Sequence, residues 1–140
     1  MIIFDEARAY ADILMMIRAD PSLPPITMND PAQQTIVTDQ TMLFITPDSS
    51  DVDYTSPDSV QSIKFRIWIL VRDQSALGRL ARLAEIGHKL RKLITFATLS
   101  HANIPAQSFA GQIKYERRQH PEGLASVACQ VAWFPDSEVS

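Results

Sequence analysis

The 140-residue chain reads as an α+β protein. Three observations predict this. Ile63, Phe65, Ile67, Ile69 and Val71 alternate at strict period two, as in a strand with one buried face. Directly after Asp73-Gln74-Ser75 the apolar period lengthens to that of a helix, and Leu80, Leu83, Gly87, Leu90 and Ile94 form one stripe. Near the C-terminus, two more alternating runs flank a polar turn and read as a β-hairpin.

In chain order, Phe4 to Ala19 is predicted helical, because Tyr10, Ile13, Leu14 and Ile17 share one face. Asp5 and Glu6 suit the positive end of its dipole. Asp20-Pro21 ends it, since proline disfavours helical geometry in the residue before it. Ser22 to Pro25 continues as an extended loop. Thr35 to Thr46 is β-branched and apolar with an impure period; Asp39-Gln40 interrupts it and leaves a strand from Met42 to Thr46. Pro47 to Ser59 is acidic, polar and carries two prolines, so a long loop is expected there. Its aspartates Asp48, Asp51 and Asp53 lack the glycine and terminal glutamate of a calcium-binding loop.

The central strand is predicted from Val60 to Arg72. Its second face, Lys64, Arg66, Trp68, Leu70 and Arg72, is mixed, so part of it is open to cover by another element or subunit. The helix from Ser75 to Phe96 takes its N-cap from Ser75 or Asp73. Gly78 and Gly87 inside it are expected to permit close packing against a neighbour. Leu99 to Ser108 reads as a connecting loop. A strand from Gln112 to Arg118 places Ile113 and Tyr115 on one face. The last strand, Leu124 to Phe134, places Ala125, Val127, Cys129, Val131 and Trp133 on one face. Gln119 to Gly123 forms the turn between them, with Gly123 available for positive φ. Residues 135–140 are a polar tail expected to be flexible.

Length and composition fit one domain spanning residues 1–140, with 46% hydrophobic and 21% charged residues. No apolar run approaches the roughly 20 residues of a membrane helix. The N-terminus lacks a basic stretch followed by an apolar core, so no secretory leader is expected. The single cysteine, Cys129, lies among alternating apolar residues and reads as a buried small hydrophobe. Charge is uneven along the chain. Met1 to Ser62 holds ten acids and two bases, a balance of −8; Ile63 to Ser140 holds six acids and eleven bases, a balance of +5. Uneven solvated loops would produce this, and so would complementary flanks on neighbouring copies of one chain.

Chemistry is not legible. His88, His101 and His120 lack the partners and spacing of zinc sites. Neither a Gly-rich phosphate loop nor a G-x-S-x-G elbow occurs. No catalytic, cofactor or metal-ligating residue is therefore nominated, and no enzyme is expected. Arg79, Arg82, Lys89 and Lys92 share roughly one helix face. With a pI near 5.5 and no interleaved aromatics, that row reads first as a solvated face.

The second half of the chain resembles the tail terminator family of long-tailed bacteriophages, also described as minor tail protein U or tail completion proteins. Three pieces carry the likeness: the strand Ser62 to Val71 after an acidic loop, the long helix opening at Ser75, and the hairpin Ile113 to Phe134. Within the hairpin, Tyr115, the basic pair Arg117-Arg118 and the Glu122-Gly123 turn match the family's recurring shape. The likeness covers Ser62 to Phe134; the first half matches by element order alone. It implies a mainly antiparallel mixed sheet with two main helices packed on one side. It also implies a homo-hexameric ring that caps the tail tube, stops its polymerisation and presents a head-joining surface. The implied partners are further copies of the chain, the tail tube protein and a head-completion or connector protein. DNA passes only as cargo, and no membrane is involved. The protein would be assembled in the host bacterial cytoplasm and reside in the virion, at the head-proximal end of the tail.

The interaction residues expected on this reading are Tyr115, Arg117 and Arg118, with Trp68 on the mixed strand face, Asp51 and Asp53 in the acidic loop, and Arg79 and Arg82 on the helix. The basic row would then be a candidate lining for a lumen. Two other readings stand beside it. One is a neck or head-completion connector, or a contractile-tail terminator. The other is a small α+β enzyme or ligand-binding domain, which a deep pocket of convergent polar side chains would favour.

Overall fold

The computed structural model describes residues 6–28, 41–51, 61–95, 98–101 and 104–133. Helix α1 (Glu6–Arg18) leads into the short strand β1 (Ile26–Thr27). Strands β2 (Met42–Asp51) and β3 (Gln61–Arg72) follow, then helix α2 (Ala76–Ile94). The chain ends in β4 (Thr98–His101), β5 (Ile104–Glu116) and β6 (Glu122–Trp133). The strands form one six-stranded sheet in the order β1-β2-β3-β6-β5-β4. Among the described strands only β1 and β2 pair in parallel, and the other pairings are antiparallel. This is an α+β fold.

Both helices cover one face of the sheet. Tyr10, Ile13 and Ile17 of α1 and Leu83, Leu90 and Ile94 of α2 join Ile63 to Val71 of β3 and Ala125 to Val131 of β6 in one apolar cluster. The period-two face of β3 therefore folds as read: Ile63, Phe65, Ile67, Ile69 and Val71 are all fully buried. Tyr10 meets Phe65 edge to face, with centroids 5.6 Å apart. The other face of the sheet carries a smaller cluster of Phe44, Leu70 and Leu124, flanked by Met42 and Trp68.

The strand-to-helix switch has a simple local chemistry. Asp73 Oδ1 accepts from the Ser75 amide at 2.8 Å, and Ser75 Oγ accepts from the Gly78 amide at 3.1 Å. Ser75 is thus the N-cap, and Asp73 holds the turn that presents it.

Several expectations change. Pro47 to Asp51 belongs to β2 rather than to a long loop. A register shift between Pro47 and Ser49 accommodates the proline, and β1 pairs only with Leu43 and Phe44, so Pro47 lies where β2 has no described outer neighbour. The remainder of the acidic segment, Asp53 included, lies outside the described residues. Within the predicted loop Leu99 to Ser108, Leu99 to His101 belong to β4 and Ile104 to Ser108 to β5. There β5 pairs with β4 on one side and β6 on the other, so ladder bonds rather than side-chain alternation define it. No glycine has positive φ. Gly123 is needed for closeness instead, since a Cβ there would lie 3.1 Å from Val71 Cγ2 and 3.2 Å from Leu83 Cδ1. The predicted breaks at Asp39-Gln40 and the tail at 135–140 also lie outside the described residues.

Candidate assembly surfaces

The hairpin corner holds the residues on which the resemblance rests. Strand β5 ends at Glu116, so Arg117 and Arg118 leave the sheet. Arg117 is exposed. Arg118 Nε donates to Glu122 Oε2 at 2.8 Å, and both side chains are mostly buried, at 20% and 18% exposure. Such a charge-assisted bond makes Arg118 a clamp across the turn rather than a free contact. Tyr115 stands on the helix-covered face beside Ile113 yet is 47% exposed. Arg79 also serves this corner. Its Nη1 donates to the Asp73 carbonyl at 2.7 Å and lies 3.0 Å from His120 Nδ1. It ties the start of α2 to the hairpin turn and does not extend a row with Arg82 and Lys89.

Trp68 lies on the opposite face of the sheet, half-buried. Its indole Nε1 donates to Thr46 Oγ1 at 2.8 Å, and the Arg66 guanidinium sits 6.0 Å from the ring centroid. Arg66 in turn donates to Ser126 Oγ at 3.2 Å and approaches Asp48 Oδ2 at 3.9 Å. This strip orders the face that α1 and α2 leave uncovered. Asp51 is the last residue of β2.

Arg82 and Lys89 point elsewhere, into an open cleft of about 570 Å³ between α2, the segment Ser22–Pro25 and the start of β2. Its charge is mixed, because Lys89 pairs with Glu85 at 3.3 Å. Thr41 lines it, and the Thr41 hydroxyl is buried without a hydrogen-bond partner among the described residues. Nearby, the Asp20 carboxyl is held below its ordinary range, chiefly by the Ser22 hydroxyl and then by the Ser22 amide. Cys129 is buried, which pushes its thiol up to about 12. Among the described residues, no group of three or more His, Cys, Asp or Glu is placed to hold a metal ion. No described helix is long and apolar enough to cross a membrane.

Sequence reading missed one surface. Leu80, assigned above to the buried stripe of α2, is 49% exposed, and Leu77 is 76% exposed. At about 100° per residue, Leu80, Ala84 and Leu77 stand roughly 20°, 60° and 80° from Gly87 on the β5 side of α2. Gly87 itself meets Ile113, since a Cβ there would lie 2.6 Å from Ile113 Cδ1. The signal was present: Leu77, Ala81 and Ala84 are apolar positions off the core stripe.

The fold and these surfaces define an α+β protein with one helix-covered sheet face and a partly open second face. No family model matches the chain, and no curated protein is significantly similar to it.

Proposed function

We propose that the chain is a ring-forming tail terminator of a long-tailed bacteriophage. Six copies close on the last ring of the tail tube, end its growth and present a surface to the head. The protein acts by recognition and self-association, in the virion, at the head-proximal end of the tail. One observation carries the reading. The segments on which the resemblance rests, β3, α2, β5 and β6, pack into one unit that leaves Tyr115 and Arg117 exposed at its hairpin corner. The opposite charge balance of the two halves of the chain supports it further, because each subunit of a head-to-tail ring needs two different flanks.

The test is sedimentation of the purified protein across a concentration series, with and without tail tubes, and electron microscopy of the tubes. The reading expects a six-fold species and density at one tube end, together with arrest of tube growth. A protein that stays monomeric and leaves tubes bare and growing would refute it. Density at the head vertex instead of the tube would make it a neck connector.

The ligand-binding reading draws on the cleft that Arg82 and Lys89 line. It expects calorimetric binding of small anions that Arg82→Ala abolishes.

A further inference from the structure

One wall of the open cleft is a single stripe of α2. Arg82, Glu85, Ile86 and Lys89 follow the i, i+3, i+4, i+7 spacing and so line about 10 Å of helix. The segment Ser22–Pro25 and the start of β2, Thr41 and Met42, supply the rest of the lining. At about 570 Å³ the cleft has the size of a small-molecule site.

Its charges are unevenly matched. Lys89 lies 3.3 Å from Glu85, and its charge also reaches the Asp20 carboxyl, which accepts from the Ser22 amide and hydroxyl. Two carboxylates therefore offset Lys89. Arg82 is half-buried, yet its guanidinium has no hydrogen-bond or ion-pair partner among the described residues. The positive potential of the cleft is thus concentrated at its Arg82 end.

A second polar group in the lining is left unmet. Thr41 Oγ1 is buried and has no hydrogen-bond partner among the described residues. Buried hydroxyls are nearly always bonded, and leaving one unbonded is costly. The remaining lining is largely apolar. Leu23, Ile86 and Met42 supply hydrocarbon, and Pro24 and Pro25 offer no amide donor.

We infer that the cleft binds an organic oxyanion, a carboxylate or a phosphate monoester, that carries a short apolar body. Arg82 pairs with the oxyanion in a charge-assisted bond, and the Thr41 hydroxyl donates to a ligand oxygen. The body lies over Leu23, Ile86 and Met42. Glu85 limits the affinity, because it holds Lys89 and repels an anion. The inference rests on the ligand-binding reading of this cleft, adds the ligand class and the residue roles, and does not depend on the ring.

Titration of the isotope-labelled protein at constant ionic strength, followed by backbone amide shifts, tests it. The probes are acetate, hexanoate, inorganic phosphate and hexyl phosphate. Shifts are expected at Leu23, Thr41, Met42 and Ile86. Each buried methylene is worth up to about fourfold, so hexanoate should bind about tenfold or more tighter than acetate, and hexyl phosphate likewise against phosphate. The tighter of the two long ligands identifies the oxyanion. Arg82→Gln should lose about tenfold or more, and Glu85→Gln should gain about threefold by freeing Lys89. Thr41→Val should weaken binding severalfold without lowering the thermal midpoint of the free protein, because the hydroxyl it removes has no partner there. Equal affinities for the short and long member of each pair, or a Thr41→Val variant that loses stability and binds as the parent does, would overturn this ligand class and leave anion binding at the cleft standing. No shift at the cleft with any of the four probes would overturn the ligand-binding reading as well.

Discussion

A Cβ on Gly87 would sit 2.6 Å from Ile113 Cδ1 and 3.0 Å from Ile113 Cγ1, so this position sets the distance between α2 and β5. Replacing glycine by alanine inside a helix normally gains about 1 kcal/mol. Here the gain is offset by displacement of the Ile113 terminal methyl, which can rotate. Gly87→Ala should therefore leave stability within about 1 kcal/mol of the parent, while Gly87→Leu should lose about 1–3 kcal/mol or more through overpacking. Chemical denaturation checks both, and an additive Gly87→Ala, Ile113→Val pair would argue against the contact. Cys129 gives a second residue-scale expectation. Burial raises its thiol from an ordinary value near 9 to about 12. The unfolded chain therefore loses this proton first. The thiol's contribution is intact below about pH 9 and is lost as pH rises toward 12, with the folding constant falling by up to about tenfold per pH unit. Denaturation curves between pH 8 and 10.5 should fall more steeply for the parent than for Cys129→Ala. Equal slopes would contradict the burial argument.

At the scale of elements, α2 begins where Asp73 and Ser75 hold its first turn. Ser75→Ala should cost about 1 kcal/mol, with hydrogen exchange rising first in the opening turn of α2. Ser75→Asp should preserve the cap, and a loss equal to that of alanine would show that the hydroxyl does not cap. This junction was legible in the sequence because it depends on local chemistry: a period-two run, an Asp-x-Ser turn and a helical stripe. β3 and α1 were legible for the same reason. The far end of β2, β4 and the start of β5 were not. Their residues are held by ladder partners distant in sequence, Asp51 by Ser62 and Gln107 by Thr98 and Ala132, and Pro47 hides the strand behind a register shift. Leu80 shows the converse failure. Its periodicity is that of the core, yet it stands on the β5 side of α2, where the sheet no longer covers it. Of the expected contact residues, Tyr115 and Arg117 are exposed at the hairpin, which strand alternation alone did not give for Tyr115, since it shares the face of Ile113. The engagement of Arg118 with Glu122 and of Arg79 with Asp73 and His120 required the tertiary fold.

For the whole molecule, the proposed ring combines two forces that respond oppositely to salt. The halves of the chain carry −8 and +5, so in the proposed ring charge would steer the encounter of subunits. Raising sodium chloride from about 0.05 to 0.5 M shortens the screening length from more than 10 Å to a few ångströms and should slow association about tenfold or more. Burial of the exposed Leu77, Leu80 and Tyr115 at a subunit contact would respond to a different variable. Sulfate strengthens effective apolar burial, so ammonium sulfate at equal ionic strength should lengthen the lifetime of multimers relative to sodium chloride. Arg117→Glu separates the two. The residue is exposed and lies past the end of β5, so its reversal should leave the fold intact, lower the association rate and flatten the salt dependence. Leu80→Asp should instead raise the dissociation rate. Stopped-flow association and dilution-driven dissociation, monitored by light scattering, give the two rates independently. An association rate indifferent to sodium chloride would remove charge steering from the proposed assembly, and a Leu80→Asp dissociation rate equal to the parent's would show that the exposed α2 flank is not buried in it.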